Sequence, residues 1–293
     1  MPDLPVTVFR SRRRRACEDR LLVLLAVGVS AELVPGAGEF LVQVDPQDAA
    51  CAARHLAQYE SENRAPAPPP PPPRLHPFAW VGCILYVVTL LGVAYAVGNG
   101  LVRLDAFDLG ALVCGRVQAG EWWRAWTALT LHLDGPHLAA NLAAGVWFGY
   151  LAGRQLGVGT AWFLIVTGAG LANLAEGLTG PPDHSAVGAS TAVFTALGLM
   201  SAYSWRERAH LPQHWGRRYG PLIAGVILLG WTGSAGEGTD LVAHLAGFTM
   251  GALLGVAAAT GVSRRSLART PQWLAGTAAL AEIAIAWAWA LRS

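Results

Sequence analysis

The chain has 293 residues, 53% of them hydrophobic and only 14% charged, against about 25% charged in an average soluble domain. So much apolar surface excludes disorder over most of the chain. A formal net charge of +2 argues against a nucleic-acid binder, and four scattered cysteines do not make a disulfide scaffold.

Residues 1–64 carry charge at ordinary soluble density. VTVFRS predicts a strand, RACEDRLLVLLAVG a helix, and AELVP and EFLVQV two strands about the turn-like GAG. DPQDAACAARHLAQYESEN predicts a second helix starting from Asp45, Pro46 and Gln47. Together they predict a small cytoplasmic α/β (βαββα) domain. Arg12–Arg15 is followed by Glu18, Asp19 and Arg20, a poor match to a signal peptide. The run PAPPPPPP lies in a linker, residues 65–76, expected to be a semi-rigid polyproline spacer.

From Pro77 onward charge is rare. Uncharged stretches cover 75–102, 135–153, 155–175, 184–205, 219–236 and 241–263, and 270–291 is broken only by Glu282. Each is close to the ~20 residues that cross a bilayer as a helix. The prediction for 77–293 is an all-α polytopic membrane domain of seven spans, with carboxylates missing from the first six. All 21 basic residues are Arg. With the N-terminus inside, the inner loops hold eight (Arg154, Arg206, Arg208, Arg217, Arg218, Arg264, Arg265, Arg269) and the outer segments four (Arg103, Arg116, Arg124, Arg292). The positive-inside rule therefore predicts a cytoplasmic N-terminus and an outer C-terminus. An Arg-only basic set suits a GC-rich genome, hence a bacterial inner membrane.

Polar side chains in hydrocarbon need a reason. His137 and Asn141 in span two, Ser190 in span four and His244 in span six fall roughly 5–10 Å below the same outer surface, at 1.5 Å per residue. A serine hydroxyl needs a base, which His244 can supply. An oxyanion needs donors: the Asn141 amide, the His137 imidazole and the Ser190 backbone N–H. His137 and Asn141 share a helix face. Gly247, Gly251 and Gly255 continue the face of His244 as a small-residue stripe, and Gly188, Ala189, Ala192 and Ala196 surround Ser190. Such faces allow close helix approach.

Gly188-Ala189-Ser190 with AVF, the later AHLAGFTMG, and EWWRAWTALTLHLDGPHLAAN together resemble the rhomboid family of intramembrane serine proteases, over roughly residues 78–260. The resemblance implies a six-helix core, here with an added seventh span, and a Ser190–His244 dyad without an acid. It implies His137 and Asn141 as the oxyanion hole, and Gly188, Phe194 and Gly247 as packing residues, with Phe194 beneath His244. The first outer loop, with Trp122–Arg124, would brace the fold. Substrates would be transmembrane proteins in the lipid bilayer, cut near the outer face, with no metal, cofactor or nucleic acid. Oligomeric state is left open. Where the family usually has Gly after the serine, Thr191 stands here, and its methyl and hydroxyl could narrow the space beside the nucleophile.

Other readings stand beside these. His132 is expected to bond the outer loop, and Asp240 to cap a helix in preference to orienting His244. Trp287 and Trp289 are expected as interface anchors. Glu282 has no visible cationic partner. A transporter, with His132, His137 and His244 as metal ligands, lacks an HExxH motif and any evident inverted repeat. An inactive rhomboid-like helix binder would typically lack Ser190 or His244.

Overall fold

The computed structural model describes residues 4–63, 75–101, 105–208, 215–233 and 240–293, excepting the side chains of 231–233, 262, 264, 265 and 268. The proline run and Arg103 lie outside the described residues, as do the side chains of Arg264 and Arg265. The chain forms two compact units, Met1–Pro72 and Pro73–Ser293.

In the first unit, strands β1 (Val6–Ser11), β2 (Ala31–Pro35) and β3 (Phe40–Val44) form an antiparallel sheet of order β1-β3-β2. β2 and β3 close around the turn at Gly36–Gly38, where Gly38 has φ +85. Helices α1 (Arg14–Ala26) and α2 (Ala49–Glu62) cover it. Cys17 and Leu24 of α1, Val42 and Val44 of β3, and Ala52 and Leu56 of α2 make the core, so the period-2 and period-3.6 apolar patterns meet on one inner face. Asp45 does not cap α2. Its side chain makes no capping hydrogen bond, and Pro46–Asp48 form a separate 3₁₀ turn before the helix.

The second unit is helical. After α3 (Ala79–Gly98) come the short helices α4 (Ala106–Gly110), α5 (Cys114–Gln118) and α6 (Arg124–Thr127), with the two-residue strand β4 (Leu112–Val113) between α4 and α5. Then follow α7 (Gly135–Leu156), α8 (Val158–Thr179), the two-residue strand β5 (Ser185–Ala186), α9 (Ser190–Glu207), α10 (Trp215–Gly233), α11 (Leu241–Ala258), α12 (Gly261–Arg269) and α13 (Gln272–Ala290). All seven predicted spans are helices. Four of them (α3, α8, α11 and α13) are long and apolar enough to cross a membrane by length and composition. The sequences of α7, α9 and α10 hold the interrupting polar residues, among them His137, Asn141, Arg154, Ser190, Arg217 and Arg218. One boundary differs from expectation. α8 runs beyond residue 175, so the buried Glu176 lies within a core helix that the uncharged stretch had placed free of carboxylates.

This unit carries large apolar side chains on its outside and several polar ones within its apolar core. Trp80, Val88, Trp147, Leu253 and Ile285 are exposed, while Asn141, Asn173, Glu176, Thr191, Thr195 and Ser201 are buried. That arrangement suits hydrocarbon as the surrounding solvent. α9 lies at the centre, packed on α7, α8, α10 and α11. Against α11 the contact is backbone to backbone. Gly247, Gly251 and Gly255 each abut the carbonyl of the residue 56 positions earlier: Thr191, Thr195 and Leu199. The constant offset means that the two helices run parallel, in matched turns. Thr195 and Ser201 of α9 return their hydroxyls to carbonyls one turn back, Thr191 and Leu197, so neither of these buried hydroxyls is left unanswered.

α13 packs along α8. Gln272 Oε1 accepts from the Gly159 and Thr160 N–H groups and its Nε2 donates to Thr160 Oγ1. Deeper, Glu282 accepts from Thr167 Oγ1 at 2.6 Å and from Trp126 Nε1 at 2.9 Å. The acid therefore has two neutral donors in place of a cation. Trp287 Nε1 donates to Thr130 Oγ1, and Trp289 lies 5.9 Å from Trp122; both rings hold the segment between α3 and α7.

Candidate active site

The loop between α3 and α7 is built around Arg124, 2% exposed. Its guanidinium donates to the Ala111 and Asp108 carbonyls and to Glu121 Oε2. A buried charge persists only when its hydrogen bonds and a counter-charge are supplied, and here both are. Thr127 Oγ1 donates to Gly110 O, and Asn173 Nδ2 donates to Ala125 O. Pairing of β4 with β5, Cys114 N–H to His184 O and Gly188 N–H to Ala128 O fasten this loop to the segment entering α9.

Ser190 is the first residue of α9 and half-buried. The first N–H groups of a helix have no intrahelical acceptor and carry its positive dipole end, so donors gather where the serine stands. The turn into the helix depends on Gly188, at φ +130, a backbone form that L side chains rarely adopt. A Cβ there would lie 2.8 Å from His137 Nε2 and 3.7 Å from Asn141 Nδ2. His137 and Asn141 of α7 thus sit directly against the strand-to-helix turn that presents Ser190. Asp134 caps α7 by accepting from the His137 N–H, Asn141 Nδ2 donates to His137 O, and Tyr86 of α3 donates to Asn141 O.

His244 is buried in the first turns of α11. Its ring lies 4.3 Å from that of Phe194, one turn below Ser190. With the offset of 56, Gly247 meets Thr191, and His244 comes level with the residues entering α9. The Thr191 methyl is 3.1 Å from where a Gly247 Cβ would be, so the bulk expected beside the nucleophile is accommodated on the α11 side by that glycine. Asp240 Oδ1 caps α11 by accepting from Ala243 N–H. Its other oxygen lies 2.8 Å from His184 Nε2 and faces away from the role of a third triad member. His132 Nε2 accepts from the Ala189 N–H at 3.3 Å, its ring 5.1 Å from that of His137. Burial, and then His137, lower the His132 pKa to about 4. A neutral imidazole is the form that can accept that bond.

A parallel pair of glycine-seamed helices that brings a serine and a histidine to one end, against a histidine–asparagine face, within an apolar bundle, is the arrangement of a polytopic membrane protein with a candidate serine–histidine site. The comparisons agree. The Rhomboid domain profile matches residues 119–260. The chain is 30% identical over 139 residues to the rhomboid-family protein YdcA of Bacillus subtilis (strain 168), covering 47% of this chain and 68% of YdcA. It is 32% identical over 162 residues to the rhomboid protease GluP of the same organism, covering 54% of this chain and 31% of GluP. The chain belongs to the rhomboid family of intramembrane serine proteases.

Proposed function

We propose that this protein cleaves transmembrane proteins through a Ser190–His244 dyad. The observation that carries the reading is the Gly188 turn, which sets His137 and Asn141 against the entry to α9 while Phe194 seats His244 beside it. Ser190 Oγ attacks the scissile carbonyl carbon as His244 takes its proton. The resulting oxyanion is met by the Asn141 amide, the His137 ring and the Ser190 N–H. Collapse expels the amine, which takes the proton back from His244. Water, activated by the same imidazole, then releases the acyl group and restores Ser190.

The arginine distribution supports an inward N-terminal domain and a site opening near the outer face of a bacterial inner membrane. Residues 1–64 would be that cytoplasmic domain, 65–76 its linker and 77–293 the protease domain. The test is cleavage of a single-span substrate in liposomes by wild type, Ser190→Ala and His244→Ala, with fluorophosphonate labelling of Ser190. Both variants should lose cleavage, and Ser190→Ala should lose the label. Cleavage that survives Ser190→Ala overturns the assignment. Asn141→Ala should lower turnover by about 10²-fold or more, the usual cost of one oxyanion donor, with folding intact by thermal unfolding.

A further inference from the structure

Three metal-ligating side chains meet outside the dyad, from parts of the chain 56 to 64 residues apart at their widest steps. Glu176 stands in the last turn of α8, His184 in the loop entering α9, and Asp240 at the cap of α11. His184 Nε2 is 2.8 Å from Asp240 Oδ2 and 3.3 Å from Glu176 Oε1, and all three ligand atoms lie within 4.8 Å of one another. A four-coordinate ion with bonds of about 2.0–2.1 Å holds its ligand atoms about 3.3 Å apart, so small side-chain shifts suffice to seat one.

The cluster sets two carboxyl groups around one imidazole. The Glu176 carboxyl faces both His184 and Asp240, and at 5% exposure its Oε2 is buried with no hydrogen-bond partner among the described residues. No described arginine pairs with either carboxylate. Two ionised carboxylates about one imidazole would leave negative charge in a half-buried place, where an uncompensated charge is costly; a proton shared between Glu176 and Asp240 or a bound cation removes it, and the cation also answers the orphan Oε2. A divalent ion would neutralise both acids, accept the imidazole nitrogen and take up the orphan oxygen. The His184 side chain is 33% exposed and that of Asp240 18%, so water, the source of a fourth ligand, reaches the cluster.

We propose that Glu176, His184 and Asp240 form a site for a divalent transition-metal ion of the Zn²⁺ class, with one imidazole and two carboxylates as ligands. Its place is structural. It joins the end of α8, the loop leading to Ser190 and the first turn of α11, one turn before His244.

Direct binding tests this independently of proteolysis, so its failure leaves the dyad reading untouched. The full chain in detergent is stripped with chelator, dialysed against Zn²⁺ and desalted. The expected result is about one equivalent retained per chain and a raised melting temperature. Co²⁺ should show the visible bands of a four-coordinate site, displaced by Zn²⁺. His184→Ala, Glu176→Gln and Asp240→Ser, the last keeping a capping hydroxyl, should each weaken Zn²⁺ binding by about tenfold or more. Size-exclusion profile and cooperative unfolding screen for misfolded variants. Absent stoichiometric binding in wild type overturns the proposal, and so does binding undiminished in all properly folded variants.

Discussion

His132 shows a titratable group placed by packing and given a task by its protonation state. Its ordinary pKa near 6.5 falls to about 4 in the folded protein. Between those values the unfolded chain takes up a proton that the native one refuses, so folding stability is lost as pH falls from about 6.5 toward 4 and is regained above. Melting temperature compared across that window between wild type and a variant that cannot titrate at residue 132 should show this slope as the difference. His132→Gln, which keeps an acceptor for the Ala189 N–H without titrating, is such a variant. Gly247 and Gly251 make the opposite point, since their value lies in what they lack. A methyl at Gly247 would stand 2.6 Å from Thr191 O, and at Gly251 closer still to Thr195 O. Gly247→Ala and Gly251→Ala should each destabilise by about 1–3 kcal/mol through overpacking, read as lowered thermal stability. Gly261→Ala, with open space around it, should not.

Among the elements, α13 departs furthest from what its composition suggests. It looks like a lipid-facing addition, yet Gln272, Glu282 and Trp287 bond it to α8 and to the segment between α3 and α7 at three levels. Interhelical hydrogen bonds in membranes are worth about 0.6 kcal/mol on average and up to about 1.7. Glu282→Ala, which leaves both the Trp126 and Thr167 donors unanswered, should therefore cost about 1–2 kcal/mol by thermal unfolding. Glu282→Gln should restore most of it, because its amide can accept from Trp126 and donate to the Thr167 oxygen. Equal losses in both variants would mean that charge, and not bond count, holds the helix. The existence of α13 was legible from its uncharged run. Its bonding was not, because Glu282 and its two donors lie more than 100 residues apart.

In the whole molecule, one logic sorts the chain into two solvents. The first unit gathers Cys17, Leu24, Val42, Val44, Ala52 and Leu56 into one core, while the second exposes many large apolar side chains and buries Asn141, Asn173, Glu176, Thr191, Thr195 and Ser201 among its apolar ones. Four cysteines stay unpaired among the described residues. Burial raises the Cys17 thiol pKa above its usual value, so Cys17 should react with maleimide more slowly than the partly exposed Cys51 in native protein and equally fast once unfolded, followed by mass spectrometry. The sequence by itself determined the solvent of the second unit, its seven long helices, the βαββα order of the first unit and the four polar residues worth suspecting. These follow from local composition and period, which each segment carries alone. Only the tertiary structure decided that Gly188 is the turn on which His137 and Asn141 rest, that Thr191 fits because Gly247 faces it, and that α8 carries a buried acid. It alone brings Glu176, His184 and Asp240 together. Those relations depend on the register between helices, which backbone contact at the glycine seams sets and no single segment encodes.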